Sequence, residues 1–256
     1  MVRKKKRKDF GFATKTIHSG ARPDPITGAR NTPIYQTTSY VFDNTEHAKR
    51  LFSLQDFGFI YSRLTNPTVS VLEERIASLE KSRASVACSS GHAAQQLAFV
   101  PLLNNGDHFI SSNKLYGGSI NQFSKTFEKF GWNCNLIDPD NISNFENNIR
   151  DKTKFIFIET LSNPDGSIVD IEKVSKIAKK HHIPLIVDNT LATPFIHNPI
   201  DWGANIITHS LTKFICGNGT SMGGIVIDCG NFDFLKDHKY PGSSQPNQSY
   251  NGIKFS

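Results

Sequence analysis

Along most of this chain, short apolar runs bounded by polar residues alternate with stretches of helical periodicity. Ala84 to Cys88 is followed by an amphipathic stretch from Ala93 to Leu103, and Asp107 to Ser111 by another from Ile120 to Phe130. Phe155 to Ile158 precedes a helical pattern from Ile171 to Lys180, and further runs fall at Leu185 to Val187, at Ile206 and Ile207, and at Ile225 to Ile227. This alternation predicts a mostly parallel sheet covered by helices on both faces, a three-layer α/β fold. One helix start stands out. Asn66 caps, Pro67 fits the first turn, and Leu72, Ile76 and Leu79 form one apolar stripe, so a helix is expected from there to near Lys81. Upstream, to about Tyr61, periodicity is weak and turn formers such as those in Arg22-Pro-Asp-Pro-Ile-Thr-Gly28 are frequent, which predicts an irregular arm.

At 256 residues the chain is long enough for one large domain with a substantial core. The formal charge of +6 invites a nucleic-acid reading, but Arg3, Lys4, Lys5, Lys6, Arg7 and Lys8 account for all of it. The body is neutral, so the terminal run reads as a solvated tail and no nucleic-acid partner is expected. Asp9 to Lys15 follow it where a secretory leader would place an apolar segment, and no run is long enough to span a bilayer. Cys88, Cys134, Cys216 and Cys229 form no C-x-x-C pair and read as reduced thiols of a cytoplasmic protein. His181 and His182 close a basic helix end, where the helix dipole suits them better than a metal; no metal site is expected.

In open α/β sheets ligands bind beyond the carboxyl ends of the strands. The residues there are Ser89-Ser-Gly-His92, Glu159-Thr160 with Asn163-Pro164, Asp188-Asn-Thr190, and His209-Ser-Leu-Thr-Lys213. Ser90-Gly91 at a strand-to-helix junction offers free N–H groups for a phosphate or simply caps the helix; Ser210 and Thr212 could complete such a cradle. Asp188, directly after a buried run, needs a partner: a cap, a structural ion pair, a metal, a ribose or a protonated ring nitrogen. Lys213 is either an ordinary surface lysine or a partly desolvated amine, nucleophilic toward a carbonyl. Gly217-Asn-Gly219 is followed by Thr-Ser-Met, so no dinucleotide fingerprint forms and a tight turn is the better reading. Pyridoxal 5'-phosphate needs a lysine, a carboxylate, a phosphate cradle and a flat face over its ring, and Tyr116 can supply the last.

These residues, with Ile17-His-Ser-Gly20, Thr32-Pro-Ile-Tyr-Gln-Thr-Thr-Ser-Tyr40, Tyr61-Ser-Arg-Leu-Thr-Asn-Pro-Thr68, Leu115-Tyr-Gly-Gly118 and Asp188-Asn-Thr-Leu-Ala-Thr-Pro194, resemble the Cys/Met-metabolism pyridoxal-phosphate enzymes of fold type I. The resemblance runs from about Thr16 to the C-terminus. It implies that Lys213 is the Schiff-base lysine and proton shuttle, that Asp188 pairs with the pyridinium nitrogen, that Tyr116 stacks on the ring, and that Asn163 lies near its phenolic oxygen. Ser90, Gly91, His92, Thr190, Ser210 and Thr212 would complete the cofactor's surroundings. Tyr61 and Arg63 match residues that reach the phosphate of a neighbouring subunit, which implies a homo-oligomer acting on a small amino-acid substrate. The implied reaction is γ-replacement, O-acetylhomoserine plus sulfide giving homocysteine plus acetate; related chemistry with cysteine or methionine is the alternative. His92 stands where a glutamine is usual, and Asn218 where a histidine is usual. Residues 1–15 are expected to be the tail, 16–65 the arm and 66–256 the cofactor-binding large domain. Family members continue beyond the point matching Ser256 into a smaller C-terminal domain that carries a substrate-gripping arginine. Its expected absence keeps a noncatalytic, cofactor-binding remnant as the rival reading.

Overall fold

The computed structural model describes residues 10–255, so the basic run at residues 3–8 lies outside the described residues. Two compact units divide the chain, Met1–Leu79 and Glu80–Ser256.

In the first unit lie helices α1 (Phe12–His18), α2 (Thr45–Phe52) and α3 (Pro67–Leu79). The α3 start follows the cap expected from Asn66-Pro67: Asn66 Oδ1 accepts the Thr68 N–H at 2.9 Å. The same amide donates to the Tyr35 carbonyl at 2.9 Å and to Ser62 Oγ at 3.0 Å, so one side chain caps the helix and gathers the extended arm. Gly20 at φ +75° passes close to α3, where a Cβ would meet the Val71 carbonyl at 2.7 Å. The arm is less irregular than expected, since α2 falls in it and α1 straddles the boundary expected between tail and arm at residues 15 and 16. Neither shows a wide apolar stripe: α1 has no buried residue and α2 buries only Leu51. Local capping carries α2, where Asn44 Oδ1 accepts the His47 N–H at 2.8 Å.

The second unit is built on strands β1 (Ala84–Cys88), β2 (His108–Ser112), β3 (Asn133–Ile137), β4 (Thr153–Glu159), β5 (Leu185–Asp188), β6 (Ile206–Ser210) and β7 (Gly224–Asp228). They form one sheet in the order β1-β7-β6-β5-β4-β2-β3. Neighbours from β3 through β6 are parallel, while β7 is antiparallel to both β6 and β1. The double reversal leaves β1 pointing the same way as β6. The carboxyl ends of β1, β4, β5 and β6 therefore share one edge. The apolar runs matched six of these strands; β3 was not expected, because Asn133-Cys-Asn-Leu-Ile137 interleaves polar residues at a half-exposed sheet edge.

Helices α4 (Gly91–Phe99), α5 (Gly117–Asn121), α6 (Ser143–Asn147) and α7 (Ile171–Lys180) belong to this unit. The single helix expected over Ile120 to Phe130 is instead α5, then a π-turn at Gln122–Thr126, then a 3₁₀ turn at Phe127–Phe130. Ser124 Oγ bonds back to the Ile120 carbonyl at 2.8 Å, and Phe123 stacks on Phe127 with centroids 5.7 Å apart, so ring packing widens the helix. These rings join a core centred on Phe99, the last residue of α4. Its centroid lies 5.2 Å from Phe109, 5.3 Å from Phe123 and 4.4 Å from Phe155. The helix anchored by Phe99 at one end presents its N-terminus to the ligand-binding edge at the other.

Candidate active site

At that edge a cavity of about 520 Å³ is lined by residues from the ends of β1, β4, β5 and β6. Ser90 is the N-cap of α4; its Oγ accepts the Ala93 N–H at 3.1 Å. The Gly91 and His92 N–H groups remain at the positive end of the helix dipole, and both residues line the cavity, a natural anion cradle. Gly91 is required there, because a Cβ would stand 2.8 Å from Ser210 Cβ and 3.1 Å from its Cα. Gly224, at the start of β7, would overlap the Ser90 carbonyl if it carried a side chain. Two glycines thus let α4, β6 and β7 converge on one point.

Asp188 closes β5 and is 7% exposed. Its Oδ1 accepts the Thr190 N–H at 3.0 Å and its Oδ2 the Thr208 hydroxyl at 2.8 Å. Both bonds fix the carboxylate, and each oxygen retains acceptor capacity for a cation or a donor in the cavity. Thr190 Oγ1 accepts the Ser210 N–H at 2.8 Å, tying the β5 loop to the end of β6. Thr212 Oγ1 exchanges hydrogen bonds with the Gly223 backbone at 3.2 and 3.1 Å, tying the loop after β6 to the entry of β7. Lys213 follows, exposed, with the Gly217 N–H on its carbonyl at 2.9 Å. Gly217 and Gly219 turn at φ +77° and +69°, the tight turn read from the sequence. Among the described residues, no carboxylate lies within salt-bridge distance of the Lys213 amine.

Tyr116 precedes α5, 51% exposed, with its ring 5.8 Å from the His92 ring and tilted by 39°. Burial lowers His92 from the ordinary imidazole value, and the Asp188 charge opposes this only in part, which favours the neutral ring. Asn163 also lines the cavity. The structure therefore brings Ser90, Gly91, His92, Tyr116, Asn163, Asp188, Thr190, Ser210, Thr212 and Lys213 to one cavity. Tyr61 and Arg63 belong to the first unit, where the guanidinium sits 5.3 Å from the tyrosine ring centroid.

Several lining residues were not singled out as site residues from the sequence. Glu159, at the end of β4, is buried, and burial first, then the Asp188 charge, pushes its carboxyl up to about 8. Gln95 and Ser119 line the cavity as a buried pair, Gln95 Nε2 donating to Ser119 Oγ at 2.9 Å. Met222 completes the mouth. Glu159 had a signal, since it directly follows an apolar run; Gln95, one turn into α4, had only its helical spacing from Ser90. Behind the cavity, His209 and Glu80 are fully buried, with Nε2 2.6 Å from Oε1. Asn189 and Asn198 donate to the same carboxylate at 2.9 and 3.2 Å, bracing the strand ends that carry Asp188 and Ser210.

An α/β sheet whose carboxyl edge gathers a helix N-terminus, a braced acid and an unpaired lysine defines the fold shared with solved pyridoxal-phosphate enzymes. One of these, an O-acetylhomoserine (thiol)-lyase of Campylobacter jejuni carrying N'-pyridoxyl-lysine-5'-monophosphate, superposes with a TM-score of 0.93 at 41% identity, covering 96% of this chain and 61% of that one. A sequence profile described as Cys/Met metabolism PLP-dependent enzyme matches residues 13–249, and the chain belongs to that family. It is 46% identical over 248 residues to an O-acetyl-L-homoserine sulfhydrylase of Leptospira meyeri, covering 97% of this chain and 56% of the relative. It is also 46% identical over 249 residues to a homocysteine/cysteine synthase of Saccharomyces cerevisiae, covering 95% and 56%. The chain thus spans little more than half the length of these curated relatives.

Proposed function

We propose that the cavity holds pyridoxal 5'-phosphate and serves γ-replacement in sulfur amino-acid metabolism, converting O-acetylhomoserine and sulfide to homocysteine and acetate. The observation that carries this reading is the shared cavity of Lys213 and Asp188, an amine without an ion-pair partner among the described residues and a braced buried carboxylate. The residues present fit the group. The Ser90–Gly91 turn, which packs against Ser210 with no room for a Cβ, leaves backbone N–H groups for a phosphate, and His92 and Thr212 would flank it. Asp188 would hold the ring nitrogen, Tyr116 would cover the ring face, and Asn163 and Thr190 would complete its surroundings.

When bound, the cofactor supplies an electron-withdrawing ring that takes up the pair left at the substrate Cα. Lys213 Nζ would hold the cofactor aldehyde carbon at rest and, once freed, move the proton from Cα and then from Cβ. Acetate departs with the Cγ–O pair, and the sulfide sulfur supplies the new Cγ–S bond, so the net exchange is one bond broken and one formed at Cγ. The substrate is a small amino acid, and the reaction belongs to the cytoplasm. Tyr61 and Arg63 would complete the site of a second copy in a homo-oligomer. A comparison of sulfide, cysteine and methionine as co-substrates, with the chain loaded with pyridoxal 5'-phosphate, tests the reaction. Homocysteine formed from O-acetylhomoserine and sulfide supports it; turnover with cysteine or methionine alone transfers the site to a related reaction.

A further inference from the structure

Tyr116 and Asn163 reach the cavity from different parts of the chain, one before α5 and the other in the loop after β4. Both side chains are exposed, so packing does little to locate them. Their backbones are held by the same group. Glu159 Oε1 accepts the Tyr116 N–H at 2.9 Å, and Oε2 accepts the Asn163 N–H at 3.2 Å. The carboxylate itself is 6% exposed and stands on β4 in register with Asp188 on β5, so it is a fixed point of the sheet.

We propose that Glu159 is the positioning residue of this site, a single carboxylate that sets the separation of Tyr116 and Asn163 at the cavity. The inference rests on the reading that the cavity takes pyridoxal 5'-phosphate, since these are the residues proposed to cover the ring and to lie near its phenolic oxygen.

The surrounding charges make this tie responsive. The charged groups acting on Glu159 are Asp188 on β5 and Asp165 in the loop beyond Asn163, and His92 on α4 and Lys213 after β6 line the same cavity. Burial and the Asp188 charge favour the protonated carboxyl; the two N–H donors favour the anion. A cation held by Asp188 cancels the repulsion between the carboxylates and shifts Glu159 toward the anion, in which both oxygens accept freely. Loading the site and ionising Glu159 therefore favour each other, and affinity gains a component that rises with pH up to about 8.

The test uses Glu159→Gln in the full chain, with two readouts. Without cofactor and above about pH 8, where the native carboxyl is ionised, hydrogen exchange at the Tyr116 and Asn163 amides is expected to quicken about tenfold in the variant, because the neutral amide offers only one acceptor, while β5 amides keep their protection. With pyridoxal 5'-phosphate as the probe, the dissociation constant is expected to rise about tenfold at pH 8, and the difference from the native chain to shrink toward pH 6.5. Native protection at both amides, or an affinity loss equal at every pH, overturns the proposal. If the glutamine variant does not fold, Glu159→Asp is read in the same way: the shorter acid keeps the charge and is expected to loosen at least one amide. A native chain that binds no pyridoxal 5'-phosphate overturns the functional reading, and exchange at the two amides still decides whether Glu159 holds both loops.

Discussion

Asp188 is fixed at the cavity by two hydrogen bonds, one from the turn after its own strand and one from the neighbouring strand. A carboxylate directly after Leu185-Ile-Val187 must be buried and must be paired, and both conditions are met. Which groups pair with it was not legible, because Thr208 comes from a neighbouring strand and Thr190 from a turn. The Thr208 contact carries a prediction. Thr208→Val keeps the volume and strands one carboxylate oxygen, at an expected cost of about 1–3 kcal/mol in stability and a measurable loss of affinity for pyridoxal 5'-phosphate. Thermal denaturation and a spectroscopic titration check it; unchanged affinity would separate Asp188 from the ligand. His92 makes the opposite case. Burial favours its neutral ring, so it is expected to contribute through its backbone N–H. His92→Gln should therefore leave affinity within about twofold, whereas a larger loss would give the imidazole a direct role.

At the scale of elements, the periodicity of the chain located the buried strands and α7, whose residues leave no competing arrangement. It failed where tertiary contacts override local pattern. In the stretch from Ile120 to Phe130, the stacking of Phe123 on Phe127 and the Ser124 back-bond select a π-turn that no spacing rule reveals. The same limit applies to the junction of α4 with β6. The sequence shows a glycine after a cap, and only the structure shows that Ser210 occupies the space of its missing side chain. Gly91→Ala is expected to push the α4 N-terminus off β6, costing about 1–3 kcal/mol in stability. Cofactor affinity should fall with it. Chemical denaturation beside a binding isotherm measures both; a stable variant with native affinity would show that the close approach is not needed.

Within the second unit, the aromatic core around Phe99 serves both stability and the site. Phe99 closes the helix that begins at the cradle and packs among Phe109, Phe123 and Phe155. Phe99→Ala is expected to cost about 3–5 kcal/mol and to loosen the α4 N-terminus, which exchange measurements along α4 would report. A second expectation concerns pH. The folded-state value of Glu159, about 8, lies above the ordinary carboxyl value, so the native chain holds a proton that the unfolded chain releases. The stability this contributes is complete below the ordinary value and is lost as pH rises to about 8. The melting temperature of the cofactor-free chain should fall over that interval, and fall less in Glu159→Gln. Assembly is tested by mixing. Arg63→Ala and Lys213→Ala proteins combined should regain reducible cofactor sites that neither has alone, if Tyr61 and Arg63 serve a neighbouring copy.

Lys213 stands beside a turn of glycines plain in the sequence, and its amine has no ion-pair partner among the described residues. The most direct measurement is a visible absorption spectrum of the purified chain with pyridoxal 5'-phosphate, followed by borohydride reduction and peptide mapping. A reducible band with the label on Lys213, lost in Lys213→Ala, is the predicted result. A folded chain that gives no adduct, or one labelled elsewhere, would contradict the site described above.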